Sequence, residues 1–183
     1  MVRRRIPGRS VSHGRLRIRE GQPADVSFVR ELSRQVFDQF GDYGEFLPSY
    51  LEHPSVFTVI AEEDGALVGF LMLALVASSR PMPWEGEMAT LEEEALDAEI
   101  LAIAVGPEHQ SRGTGAQLME YAVRCAQGWR QVVEVRSLQL NVADTNERGQ
   151  RFFVQMGFVE VDAHDGVYPR GQRSIRMARR LVE

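Results

Sequence analysis

The stretch with the clearest chemistry is Gln110-Ser111-Arg112-Gly113-Thr114-Gly115. It lies between an aliphatic run, Ile100 to Val105, and a segment with Leu118, Ala122, Cys125 and Trp129 at three- and four-residue steps. The aliphatic run is too short to cross a membrane and reads as a buried strand, and the second segment reads as an amphipathic helix. A strand, a glycine-bearing loop and a helix start together make an anion site. The first N–H groups of a helix lack internal partners, and the helix dipole places partial positive charge there. Glycine lets the backbone approach a phosphate closely, and Arg112 could add a charge-assisted bond.

Three nucleotide motifs compete for this loop. A Walker A loop needs Lys and Ser/Thr after its second glycine, where this chain has Ala116 and Gln117. A dinucleotide fingerprint needs a third glycine, where Leu118 stands. The spacing that fits is Gln/Arg-x-x-Gly-x-Gly/Ala, framed by Val105-x-Pro107 before it and Leu118-Met119 after it. It resembles the pyrophosphate loop of the GNAT superfamily of acyl-CoA-dependent N-acetyltransferases. A second stretch, Leu140-x-Val142-x-x-x-Asn146-x-x-Gly149-x-x-Phe152-Phe153-x-x-x-Gly157-Phe158, resembles the family's Asn-x-x-Ala-x-x-Leu-Tyr-x-x-x-Gly-Phe. Here Gly149 replaces the alanine and Phe153 the tyrosine. A plain glycine turn before an ordinary helix is the alternative reading of the first loop.

Composition bounds the remaining possibilities. The 183 residues suit one domain over residues 15–183, preceded by a flexible basic tail, residues 1–14, with Arg3, Arg4, Arg5 and Arg9. The single cysteine, Cys125, excludes an internal disulfide framework and fits a reducing, cytoplasmic setting. No apolar run is long enough for a bilayer, and the basic N-terminus lacks the apolar core of a secretory signal. A net charge of −5 weighs against general nucleic-acid binding and is compatible with a cationic substrate. The histidines at 13, 53, 109 and 164 show no zinc-type spacing, so no metal is expected.

The elements that must position the loop follow in order. Arg15 to Arg19 alternates as a first strand, Gly21-Gln22-Pro23 breaks it, and Val29, Leu32 and Val36 repeat at helical spacing behind Asp25. Ser55 to Ala61 and Ala66 to Ala77 form an antiparallel pair about an Asp64-Gly65 turn. Phe37 to Pro54 is aromatic and punctuated. Ser78 to Asp97 is an insert with an acidic run through Glu85, Glu87, Glu92, Glu93 and Glu94. A charge run is usually a solvated face, although this one could gather a cationic acceptor. Strands are expected over Val132 to Val142, Phe158 to Val161 and Ser174 to Leu181. Asp144-Thr145-Asn146 caps a helix carrying Phe152, Phe153 and Met156, which Gly157 ends.

The resemblance implies an α/β fold: a mixed, mostly antiparallel, twisted sheet of six to seven strands with helices on both faces. It implies acetyl-CoA as co-substrate and a small-molecule or peptide amine as acceptor, with Phe37 to Pro54 as part of the acceptor wall. Ala104 should be a cofactor contact between Ile103 and Val105, whose backbone groups should pair with the pantetheine arm. Those of Gln110, Ser111, Arg112, Gly113, Thr114, Gly115 and Ala116 should hold the pyrophosphate, with Asn146 and Phe153 as further cofactor contacts. No specific nucleic acid or membrane is implied. The oligomeric state is left open, with a homodimer among the options.

The implied reaction is attack of a neutral amine on a thioester. An α-amine has a pKa of about 8 and a lysine about 10.4, so a base helps at neutral pH. Glu99, at the head of the central strand, resembles the general base of the histone-acetylating branch, acting through water. A carboxylate among aliphatics would have its pKa raised by desolvation, which suits that task. The N-terminal-acetylating branch often has a glutamate in the next strand. Asn141 stands there and can hydrogen-bond the acceptor but cannot act as a base. Phe153 has no proton to give, so Tyr168 is the substitute candidate for the general acid. Cys125 falls on the apolar helix face and reads as core. Two other readings stay open: a non-catalytic acyl-CoA-binding or regulatory domain, which Phe153 and Asn141 keep alive, and a different nucleotide-binding protein such as a kinase.

Overall fold

The computed structural model describes residues 16–78, 82 and 95–181. The expected basic tail and most of the acidic insert, up to residue 94, lie outside the described residues.

Seven strands form one sheet in the order β1-β2-β3-β4-β5-β7-β6. They are β1 Leu16–Glu20, β2 Val56–Glu63, β3 Ala66–Ala77, β4 Leu96–Val105, β5 Val135–Ala143, β6 Val159–Asp162 and β7 Ser174–Arg180. The β4–β5 pair is parallel and every other pair is antiparallel. The helices are α1 Val26–Phe37, α2 Tyr43–Phe46, α3 Thr114–Trp129 and α4 Glu147–Gln155. This is the mixed, mostly antiparallel sheet flanked by helices that the sequence leads one to expect.

Strict alternation along the strands supplies two cores. Phe70 and Met72 pack with Val29, Leu32 and Leu47 on the α1 side. Their neighbours Leu71 and Leu73 pack with Leu118, Met119 and Ala122 on the α3 side. Successive side chains of a strand point to opposite faces, so a continuous apolar run such as β3 must be covered twice. The β2–β3 turn is tight because Asp64 and Gly65 both have left-handed backbones, with φ of 50° and 84°. That geometry matches the twist of a two-residue hairpin.

Two departures from alternation position the site. Along β3 and β4, Met72 faces Ala102 and Leu73 faces Ile100, which leaves Leu101 as an extra residue. This bulge changes the facing of β4: Ala98 and Ile100 belong to the α3-side core, whereas Ala102 and Ala104 belong to the α1-side core. The second departure is that pairing between β4 and β5 ends at Ile100 and Leu140, although the strands continue to Val105 and Ala143. The sheet is therefore split at that end.

Three sequence expectations need correction. The central strand begins at Leu96, so Glu99 is its fourth residue and not its head. Asp97, the last residue of the expected insert, is fully buried in that strand. The strand expected from Val132 begins at Val135; Val132 and Val133 are exposed, and their N–H groups close a turn on the Trp129 carbonyl. Valine's strand preference is overridden there by the need to end α3.

Candidate active site

The split between β4 and β5 opens into a cleft of about 410 Å³. Glu99, Leu101 and Ile103 line it from β4, and Asn141 and Ala143 from β5. Tyr168 and Pro169 line it from the β6–β7 connection, and Phe37, Phe40 and Tyr43 from the α1–α2 segment.

Alternation fixes what the β4 backbone offers to this cleft. The Gly106 N–H donates to the Val68 carbonyl. In an antiparallel ladder, Phe70 and Ala104 then exchange both bonds, while Ile103 and Val105 turn their groups away from β3. They face the side where β5 has departed. One of these groups is already engaged, because the Gln110 amide donates to the Val105 carbonyl at 2.9 Å.

The loop after β4 is built from backbone conformation. Ser111 has φ of 61° and Gly113 φ of 90°, both left-handed. The glycine is the N-cap of α3, which starts at Thr114. Left-handed residues ahead of a helix start turn successive N–H groups toward one concavity, where the first turn of α3 adds its own. Thr114 is buried, and a Cβ on Gly115 would lie 3.5 Å from the Phe152 ring. Ser111 Oγ accepts from Arg148 at 3.2 Å, and Arg112 is largely exposed, 4.0 Å from Glu63. None of Gln110 to Ala116 is among the described residues that line the cleft; the loop follows β4 just beyond it and can hold an anion with backbone donors and nearby arginines.

The cleft itself is built from side chains distant in sequence. Glu99 is aligned with Gln139 of β5 and Ala74 of β3. Among the described residues its carboxylate makes no hydrogen bond or ion pair. Burial pushes its pKa above the usual carboxylate value; the positive charge of Arg176 works against that, and the charges of Asp165 and Asp97 add to it. Arg176 donates to Asp165 through Nε at 2.9 Å and to Gln139 Oε1 at 3.2 Å. With its amide nitrogen turned to the loop, Asn141 also donates to Asp165, at 3.3 Å. Below Glu99, Ser137 donates to the buried Asp97 at 2.8 Å, and the second Asp97 oxygen has no hydrogen-bond partner.

The remaining expected residues fall as follows. Asn146 lines the cleft and is the N-cap of α4, its Oδ1 accepting the Gly149 N–H at 2.9 Å, so only its amide nitrogen is uncommitted. A Cβ at position 149 would come within 2.6 Å of that nitrogen, which gives a physical reason for glycine there. Phe153 is buried against Phe152 and Phe158, with one side on the cleft. Tyr168 packs against Phe40 and Tyr43, and burial raises its phenol pKa. Cys125 is buried, its thiol pushed up to about 12 by desolvation, in keeping with a core role. Among the described residues no group of three or more metal-ligating side chains occurs, and no helix is long and apolar enough to cross a membrane.

The sequence reading missed Asp97, Gln139, Asp165 and Arg176. The available signal was polar residues at alternate positions of otherwise apolar strands: Ser137 and Gln139 in β5, and Arg176 between Ile175 and Met177 in β7.

Comparison with known proteins agrees with this geometry. Residues 26–158 match the model of the acetyltransferase (GNAT) family. A search of curated proteins gives no match. Among solved structures, the chain is similar to the NAA60 protein of Arabidopsis thaliana in complex with acetyl-CoA, at 18% identity and a TM-score of 0.71, covering 91% of this chain and 98% of that one. It is similar to Ard1 of Thermoplasma volcanium at 23% identity and a TM-score of 0.67, covering 92% and 99%. It is also similar to a spermidine/spermine N-acetyltransferase of Vibrio cholerae at 18% identity and a TM-score of 0.61, covering 92% and 95%. At these identities the likeness is one of fold.

Proposed function

The chain belongs to the acetyltransferase (GNAT) family, and from that premise we propose that it transfers an acetyl group from acetyl-CoA to a primary amine by direct attack, with Glu99 as general base. The observation that carries this reading is the split sheet: among the described residues a half-buried carboxylate without a hydrogen bond or ion pair lines the cleft, and a left-handed loop of backbone donors follows the same strand beyond it. The acetyl-CoA bound in the NAA60 structure supports the choice of co-substrate. A single sheet running from β1 to β7 supports reading residues 15–183 as one domain.

In this reading the pyrophosphate lies against the N–H groups from Gln110 to Ala116, with Arg112 adding charge. The pantetheine arm takes the place of the missing strand pairing, using the backbone groups of Ile103 and the N–H of Val105, whose carbonyl Gln110 already holds; the Ala104 groups are bonded to Phe70 and do not serve it. Asn146 offers its uncommitted amide nitrogen, and Phe153 supplies the apolar floor. The acceptor amine enters from the aromatic side. Glu99, directly or through one water, takes the proton that the amine must lose. The nitrogen attacks the thioester carbonyl carbon, and the carbon–sulfur bond breaks. The thiol has an ordinary pKa of about 8.5, so it can leave as thiolate and take its proton from water or from Tyr168. Asn141 holds the acceptor by hydrogen bonding. No covalent enzyme intermediate is needed, because holding both reactants in line supplies much of the acceleration.

Thermal unfolding with acetyl-CoA, CoA, ATP and NAD, each in excess, tests the cofactor. A ligand at a hundred times its dissociation constant adds about 2.7 kcal/mol, and the shift is expected with acetyl-CoA and CoA alone. Release of CoA on adding an amine, lost in Glu99→Gln, then identifies transfer. A shift without turnover for any amine would favour the non-catalytic acyl-CoA-binding reading.

A further inference from the structure

The acceptor side of the cleft carries information about what it accepts. Five of its lining residues are Phe37, Phe40, Tyr43, Tyr168 and Pro169. The rings form one cluster, with centroids 5.6 Å apart for Phe37 and Tyr43, 5.7 Å for Phe40 and Tyr168, and 6.4 Å for Tyr43 and Tyr168. Among the described residues neither tyrosine hydroxyl makes a hydrogen bond.

Most of the described carboxylates around this cluster face an arginine. Asp165, one of two lining carboxylates, is held by two Arg176 nitrogens at 2.9 Å each. At the rim, Asp38 and Asp42 share Arg170 at 3.3 Å, Asp144 is bound by Arg173 at 2.9 Å, and Glu45 by Arg34 at 2.6 Å. Among the described residues the other lining carboxylate is Glu99, and it makes no ion pair. A polycation would need several uncommitted carboxylates to replace its hydration, and the described residues of this cleft offer one.

Resting on the transfer reading above, we propose that the acceptor is a monocationic primary amine carried on an apolar or aromatic body. The ring cluster takes the body, and Glu99 meets the single charge. Two sources share that chemistry: a free arylalkylamine, and the N-terminus of a peptide whose first side chain is apolar.

The test is CoA release by the full chain with acetyl-CoA and a fixed panel: β-phenylethylamine, ethylamine, a peptide beginning with methionine, a peptide beginning with aspartate, spermidine and kanamycin. Burial of an apolar body of that size predicts a kcat/KM about tenfold or more higher for β-phenylethylamine than for ethylamine, or for the methionine peptide than for the aspartate peptide. Whichever pair shows the preference identifies the source, and spermidine and kanamycin should trail it. Faster release with spermidine or kanamycin would overturn the acceptor class and leave the transfer reading intact. No release with any amine would overturn transfer itself, and the acceptor class with it. A gain-of-function variant adds a second arm. Val167 lies at the cleft and is 69% exposed, so Val167→Glu should fold and add a carboxylate to the cleft; Val167→Glu/Arg173→Ala makes the same test without the facing Arg173. The ratio of spermidine to β-phenylethylamine turnover should rise about two- to fivefold, the range for an exposed charge pair. An unchanged ratio would overturn the claim that the shortage of free carboxylates sets the choice.

Discussion

The loop that follows β4 and the β4–β5 cleft, the two ends of the proposed site, are made of different material. The loop end is made of main chain: left-handed Ser111 and Gly113, the first turn of α3, and the outward groups of Ile103 and Val105. The acceptor end is made of side chains from α1, α2, β4, β5, β7 and the connection between β6 and β7. A backbone site recognises what every ligand of one class shares, such as a pyrophosphate. A side-chain site can be rewritten one residue at a time. The contrast explains how one fold serves many acceptors while keeping one donor.

The largest effect should come from the acceptor end. Glu99→Gln should lower kcat by about a hundredfold or more, the usual size of a lost general base, without changing the KM for acetyl-CoA. An equal loss of acetyl-CoA binding would break the division between the two ends. Because burial raises the Glu99 pKa, the acid limb of kcat/KM in the wild type should lie above the ordinary glutamate range. The same shift has a cost in stability. Between the ordinary value of 4.5 and the raised one, the folded state keeps a proton that the unfolded state has released. Stability therefore falls as pH rises through that window, and the deficit remains above it. Glu99→Gln should melt higher than the wild type at pH 7 while being inactive, which differential scanning calorimetry would show.

At the loop end, Gly113→Ala isolates backbone strain. Nothing lies within 4 Å of the added Cβ, and φ is 90°, so any effect comes from conformation alone. A cost of about 1–2 kcal/mol in stability is expected, with weaker CoA protection in the thermal shift. Asn146→Ala should cost about 1 kcal/mol through the lost cap of α4 and raise the KM for acetyl-CoA. The smallest effect is expected at the rim. Arg170 ties the β6–β7 connection to Asp38 and Asp42, with Gln172 donating to the Gln39 carbonyl beside it at 2.7 Å. Arg170→Ala should cost less than about 1 kcal/mol, as exposed pairs do. It should raise the acceptor KM and spare that of acetyl-CoA.

The same contrast decides what could be read from the sequence. The loop end is local: strand, glycines and helix start fall within about twenty residues, and each obeys a rule of short-range stereochemistry. The hairpin at Asp64-Gly65, the Asn146 cap and the Gly157 helix end were legible for the same reason. The acceptor end is assembled by topology. Arg176 meets Asp165 and Gln139 because β7 inserts between β5 and β6, a strand order that no spacing announces. A charge run is ordinarily a solvated face, and Asp97 closes the acidic insert. Its burial depends on Ser137, forty residues further along the chain. The bulge at Leu101 left no mark either, since an extra leucine in an aliphatic run looks like more of the same.

The premature end of the β4–β5 ladder gives the protein an edge in the middle of its sheet. Exposed edges are where foreign strands add, and proteins protect them with charge, proline or a covering loop. This edge lies in a cleft that Tyr168 and Pro169 also line. Any extended molecule thin enough to enter would meet donors and acceptors already aligned for it. Occupancy by a strand-like ligand covers that edge, and should slow aggregation as well as license the chemistry.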